Sequence, residues 1–263
     1  MLTSQLTSGF IERLRCNDEA AWFELWETFG PVIRAQLVKW GKGRIGAETV
    51  RDLSQETMAA LSDSIDRFDP ERGARFSTWL LAIAKHVLGD EIDRRTALKR
   101  GGGRAAASLD ESWMVADAAR AADAEYEAAI FRAKVEAAIR KVEHETDFAD
   151  FEIYRMRVFD GVSGKEVAAA VGVSEPTVSR RLARVRDLLR VKLAAVMQTY
   201  SFTAEEYEEA ARNGIALNPK AEPGAASPQP ETDFDPGAFD EAVCEIYHRQ
   251  TALRRADEFD AAR

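Results

Sequence analysis

The residues best placed to do chemistry lie between Ser174 and Leu193. Thr177, Ser179, Arg180, Arg181 and Arg184 fall outside an apolar stripe of Val178, Leu182, Val185 and Leu189, whose spacing of four, three and four is helical. Six bases crowd this stretch, and guanidinium and hydroxyl groups in such density suit phosphates and base edges. Just upstream, Ser163 and Glu166 form a capping box for a short helix carrying Val167, Ala168 and Val171. Gly172 then suits the left-handed residue that ends it. Ser174 caps the basic helix, with Glu175 and Pro176 in its first turn, where a missing N–H is harmless. The pattern is a helix-turn-helix whose second helix can enter the DNA major groove. The competing interpretation is a helical hairpin in a core with a solvated arginine face.

Two further groups have the right residue types. Arg67, Arg72 and Arg75 share a loop with Phe68, and Phe76 and Trp79 follow at the start of a helix capped by Ser77 or Thr78. Rings stack on unstacked bases while cations meet phosphates. Equally, Phe76 and Trp79 could staple the helix end into the core. Asp52, Gln55, Glu56 and Ala59 make one polar face of a helix from Glu48 to Asp66, by default a solvated one. Catalysis has little to work with. Three histidines with no close pair, and Cys16 and Cys244 far apart, give no metal site, disulfide framework or nucleophile–base pair. The run Gly101-Gly102-Gly103 lacks the Gly-Lys-Ser/Thr of a phosphate loop. No enzyme activity, cofactor or metal is expected.

These groups need helices to hold them, and helical periodicity runs through the chain. The 263 residues allow two small domains, and no strand pattern or internal repeat stands out. Phe10, Ile11 and Leu14 form a first stripe. Asn17 is the candidate cap of the next helix, whose Trp22, Phe23, Leu25, Trp26 and Phe29 read as core, with Pro31 kinking or splitting it before Val32, Ile33, Leu37 and Val38. Val50, Leu53, Thr57, Leu61 and Ile65 line the inside of the next helix, and Leu80, Ile83, Ala84, Val87 and Leu88 that of the Trp79–Arg95 helix. Beyond an Ala-, Ser- and Asp-rich linker, Tyr126, Ile130, Ala133 and Ala137 mark a helix to Val142, and Phe148, Phe151, Tyr154 and Val158 another to Phe159. The fold class is all-α: a domain over 8–98, a linker over 99–123, a helix-turn-helix domain over 124–197 and an acidic, partly disordered extension over 198–263.

Net charge is −9, but from Thr199 onward there are 14 acids and 6 bases, net −8, so most of the excess sits in the extension. Within it, Phe202–Asn213 suits a short acidic helix, Asn218–Pro236 holds five prolines and reads as flexible, and Ala238–Ala261 suits an amphipathic helix with Phe239, Val243, Ile246 and Leu253. The start of the chain lacks a signal-peptide pattern and no apolar run spans a bilayer, so a cytoplasmic protein is expected.

Several stretches together resemble the bacterial extracytoplasmic-function (ECF) sigma factors of the sigma-70 superfamily. Asp52-Leu53-Ser54-Gln55-Glu56 is similar to the family's D-L-x-Q-E signature. Phe76-Ser77-Thr78-Trp79-Leu80-Leu81-Ala82-Ile83-Ala84 resembles its F-x-x-W-L-x-x-I-A segment, and Asp90, Asp93, Arg94 and Arg95 the usual end of that helix. Residues 162–189 resemble its C-terminal helix-turn-helix. The resemblance covers roughly residues 10 to 193 and implies an RNA polymerase specificity subunit that recognises −35 and −10 promoter elements and assists melting. It implies that Asp52, Leu53, Gln55 and Glu56 contact the β′ clamp helices of core RNA polymerase, with the β flap as a second contact. It implies that Arg72, Arg75, Phe76, Ser77, Trp79 and Lys85 serve −10 DNA around a flipped base. It implies that Ser174, Glu175, Thr177, Ser179, Arg180, Arg181 and Arg184 serve −35 DNA. An anti-sigma factor is a further candidate partner. Where many members carry Gly-Thr-Val-Lys-Ser-Arg, this chain has Pro176-Thr177-Val178-Ser179-Arg180-Arg181, which leaves the bases read open. The last 65 or so residues lie outside the family pattern, as an autoinhibitory arm, a regulator-binding arm or a solvated extension. The alternative reading is a stand-alone helix-turn-helix regulator binding operator DNA as a dimer, which has no use for the Asp52 face.

Overall fold

A computed structural model describes residues 3–69, 75–99, 124–200 and 234–261. Every element among them is helical, so the all-α expectation holds. The order is α1 (Thr3–Arg15), α2 (Glu19–Gly41), α3 (Ala47–Ser64) with a 3₁₀ turn (Ile65–Arg67), α4 (Phe76–Lys99), α5 (Ala124–Glu145), α6 (Phe148–Tyr154) with a π turn (Arg155–Phe159), α7 (Gly164–Val171), α8 (Glu175–Tyr200) and α9 (Pro236–Ala261). The chain divides into two compact units, Met1–Ala133 with Tyr200–Thr203, and Lys134–Thr199 with Ala204–Arg263. Lys99, the expected start of the linker, is the last residue of α4; the rest of that linker to residue 123, the short acidic helix over 202–213 and the proline-rich stretch up to residue 233 lie outside the described residues.

In the first unit the expected stripes point inward. Phe10, Ile11 and Leu14 of α1 are buried, as are Val50, Leu53, Thr57, Leu61 and Ile65 and the α4 set Leu80, Ile83, Ala84, Val87 and Leu88. The cap of α2 is Asp18, not Asn17. Asn17 takes the left-handed turn (φ 55°), which Asn tolerates, and leaves its neighbour extended, with its carboxylate accepting from the backbone N–H groups of Ala20 and Ala21. Arg13 donates to the same carboxylate at 2.7 Å and holds its pKa below the usual range.

Pro31 does not split α2, which runs unbroken to Gly41. An interior proline costs about 3 kcal/mol. Leu25, Phe29, Val32, Ile33 and Leu37 are all buried around it, and each contributes about 1.5–3 kcal/mol by leaving water, so packing outweighs the break. Phe23 and Val38 lie off this stripe and are exposed, contrary to their core assignment.

The second unit is built around a cluster of Ile153, Val167, Ala168 and Val178, with Met156, Val162, Val171 and Val173 packed against it. The helix expected over Phe148–Phe159 is not uniform: α6 gives way to the π turn, whose wide step is closed by Asp160 N–H donating to the Arg155 carbonyl at 3.0 Å. That step buries Phe159, while Val158 stays half-exposed and Phe148, in the first turn after its cap Asp147, is 82% exposed rather than inward. In α9, Phe239, Val243 and Ile246 are buried as their spacing predicts. Pro236 is the first residue of α9 rather than part of a flexible stretch, and Asp235 accepts from the Gly237 and Ala238 N–H groups at 2.8 and 3.3 Å.

Candidate nucleic-acid interface

The helix-turn-helix forms as its residues dictate. Ser163 and Glu166 make both bonds of the capping box, and Gly172 (φ 74°) ends α7 with its N–H on the Ala168 carbonyl. The Glu166 carboxyl is held below its ordinary pKa by the Ser163 hydroxyl and backbone N–H. At the start of α8 the Ser174 and Thr177 hydroxyls lie 2.9 Å apart, and Arg180 reaches back toward Thr177 Oγ1 and the Pro176 carbonyl, both at 3.3 Å. Ser174, Glu175, Ser179 and Arg180 are exposed, and Thr177 is partly so. A basic, hydroxyl-bearing helix start of this kind can offer donors to phosphates and base edges.

Asp150, on α6, is a site residue the sequence did not reveal. Its side chain is 10% exposed, and its carboxylate lies 3.2 Å from Arg181 and 3.6 Å from Arg184. Arg181 is thereby drawn in to 35% exposure, while Arg184 remains 78% exposed. One carboxylate therefore orients two candidate phosphate contacts and offsets part of their charge. Nothing in sequence separates Asp150 from the solvated acids around it.

At the start of α4 the geometry divides the expected −10 residues. Phe76 is 1% exposed, its ring centroid 5.3 Å from Phe68, 5.9 Å from Trp79 and 6.3 Å from Phe29. It is a core residue that fixes the helix start, so its own ring is not available to stack on a base. Trp79 is partly exposed and lies 4.9 Å from Phe68 at a 32° tilt. Ser77 is buried, and its carbonyl accepts from the Tyr126 hydroxyl at 2.7 Å. Burial, then the Glu127 charge, push that hydroxyl's pKa well up, so it stays protonated to donate. Arg75 pairs with Glu127 at 2.6 Å, and Lys85 is half-buried. Arg72 lies outside the described residues. The first turn of α5 thus grips the basic entry to α4, a contact at a sequence distance that no local pattern marks.

On α3, Asp52, Gln55 and Glu56 are exposed together, with Ala59 on the same face. Leu53 is buried and supports this face from beneath. The helix is fixed against the end of α4. Glu91, almost fully buried, accepts from Arg94 (2.7 and 3.0 Å) and Arg95 (2.5 Å), and Arg95 also donates to Thr49 Oγ1 at 2.8 Å. Arg94, and after it Arg95, hold the Glu91 carboxyl below its ordinary pKa. Among the described residues, no cluster of His, Cys, Asp or Glu is placed to hold a metal, and no helix is long and apolar enough to cross a membrane.

Residues 25–97 match the family Sigma-70 region 2, and residues 149–189 match Sigma-70, region 4. The chain is 32% identical over 138 residues to a probable RNA polymerase sigma-C factor of Mycobacterium bovis and, equally, to the ECF RNA polymerase sigma factor SigC of Mycobacterium tuberculosis. The aligned part is 52% of this chain and spans 66% of the length of those relatives. The region 2 match takes in α3 and α4, the region 4 match takes in α6, α7 and the N-terminal part of α8, and with both in this order the chain belongs to the extracytoplasmic-function branch of the sigma-70 family.

Proposed function

We propose that this chain is a promoter-specificity subunit: it binds core RNA polymerase, recognises −35 and −10 elements and assists melting. The observation that carries this reading is the coexistence of a basic, hydroxyl-rich α8 start with a separate, solvent-facing Asp52–Gln55–Glu56 surface on α3. A stand-alone dimeric regulator needs the first and has no use for the second, so the region 2 segment favours the sigma reading.

In this reading the exposed polar face of α3 is the polymerase contact, toward the β′ clamp helices, with the β flap as the partner of the second unit. Thr177, Ser179, Arg180, Arg181 and Arg184, with Ser174 and Glu175 at the helix start, serve the −35 element. Trp79, Arg75, Arg72 and Lys85 serve the −10 element. Phe76, Ser77 and Leu53 act from within the core by fixing the elements that carry those groups. A flipped base costs a few kcal/mol, and stacking on Trp79 offsets about 1–3 kcal/mol of it. The chain does no covalent chemistry in this scheme and needs no cofactor.

The test is affinity for core polymerase. The double variant Asp52→Ala with Gln55→Ala changes only exposed side chains and is expected to leave the fold intact while weakening core binding about tenfold or more. Unchanged affinity refutes the α3 assignment.

A further inference from the structure

We propose that α9 is a wall of the DNA-reading unit and that Asp240 is a positioning residue that holds the recognition helix α8 through Arg186. The proposal rests on the reading of α8 as the DNA-contacting helix and adds to it a segment that lies beyond both family matches.

Five contacts tie this segment down. Asp240 accepts two bonds from Arg186, from Nε at 3.0 Å and Nη2 at 2.6 Å, with both side chains nearly buried at 14% and 16% exposure. The Tyr154 hydroxyl of α6 donates to the same Asp240 carboxylate at 3.1 Å, which ties it to the helix-turn-helix core as well. Further along α9, Tyr247 stacks on Phe159 with centroids 3.9 Å apart and planes 8° from parallel, and His248 Nε2 donates to the Phe159 carbonyl at 2.6 Å. Just before α9, the Phe234 ring lies under the Arg190 guanidinium at 3.8 Å. Phe239, Val243 and Ile246 complete the face toward the unit. A bidentate pair this dry resists rotation in a way that an exposed pair does not.

The placement of Arg186 decides what this hold does. At 3.6 residues per turn, Arg186 lies about 140° around α8 from Arg181 and about 120° from Arg180. Asp150 therefore grips one flank of the helix, at Arg181 and Arg184, while Asp240 grips the opposite flank at Arg186. Ser179 shares the Arg186 flank but lies two turns nearer the helix start and is exposed. The described part of α9 thus leaves the start of α8 open. It sets the roll of the helix and does not cover the groups that face DNA. Arg186 and Arg190, two of the six bases in this stretch, are engaged by the C-terminal segment.

The experiment uses the full chain with Asp240→Asn, Asp240→Glu and Phe234→Leu. It reads amide exchange along α8, and the affinity and salt dependence for a duplex selected from a random pool by the unmodified chain, against a scrambled duplex. Asp240→Asn is expected to speed exchange over residues 182–193 and to lower the selected-to-scrambled ratio about tenfold, the size of one misplaced base contact, with the salt slope unchanged. Asp240→Glu is expected to recover part of the ratio. Phe234→Leu, which leaves the Arg186–Asp240 pair in place, is expected to shift the ratio the same way and keeps the test valid if Asp240→Asn unfolds the unit. Two results overturn the proposal: tighter DNA binding in these variants, which makes α9 a shield, or an unchanged ratio with α9 demonstrably released. If the unmodified chain selects no duplex, the DNA-reading assignment falls, and the exchange measurement still decides whether Asp240 holds α8.

Discussion

Phe76 and Trp79 sit three residues apart at the start of one helix, and the structure buries the first and leaves the second partly exposed. Truncating Phe76, at 1% exposure among Phe29, Phe68 and Trp79, is expected to cost about 3–5 kcal/mol, the range for Phe→Ala in a core. Against a total of about 5–15 kcal/mol that is a large loss. With a urea dependence of about 1–3 kcal/mol per molar, the unfolding midpoint falls by about 2 M. Trp79 is only partly buried, so Trp79→Ala is expected to cost clearly less. It is instead expected to weaken single-stranded DNA binding by about five- to a hundredfold, the worth of one base–ring stack. Circular dichroism in urea reads the first quantity and anisotropy of a labelled −10 oligonucleotide the second. Phe76→Leu, which keeps the site apolar, should retain both fold and binding. A Phe76→Ala variant of unchanged midpoint that has lost DNA binding refutes the reasoning, because the ring would then be meeting bases and not the core.

Three further outcomes follow from the carboxylates around the arginines. Glu127→Gln removes the charge paired with Arg75 at 2.6 Å and is expected to raise affinity for single-stranded DNA a few-fold in the same anisotropy assay. Asp150→Asn removes the carboxylate shared by Arg181 and Arg184. It is expected to steepen the salt dependence of duplex binding by about one unit per arginine released, while lowering sequence preference. Glu91 has a folded-state pKa depressed by Arg94 and Arg95, so its stabilisation is present above the ordinary carboxyl value of about 4.3 and is lost as pH falls through the lowered one. Acid titration of stability should therefore show a loss below about pH 4 that Glu91→Gln flattens.

What was legible in the sequence was what is local. The capping box of Ser163 and Glu166, the left-handed Gly172 and the inward faces of α3 and α4 depend on neighbours within a turn or two, and they formed as written. The cap of α2 failed by one residue because Asn17 and Asp18 are both good caps, and only the left-handed turn after α1 decides between them. The π turn after Tyr154 carries no signature in its residues. The remaining differences are long-range. The sequence left Phe76 open between a base-stacking ring and a core staple because nothing local shows Phe29 beside it. Tyr126 reaches the Ser77 carbonyl across 49 residues, and Arg186 reaches Asp240 across 54. Nothing local on α8 shows that Asp150 meets Arg181 and Arg184 while Asp240 meets Arg186.

Run-off transcription from a cognate promoter with purified core RNA polymerase of the source organism, with and without this chain, decides whether it is a promoter-specificity subunit. Transcripts of defined length are expected only when the chain is present, and are expected to be lost on Asp52→Ala with Gln55→Ala or on Trp79→Ala. Promoter-bound protein that yields no transcript with core polymerase, and that binds as a dimer unaffected by the α3 substitutions, contradicts that role.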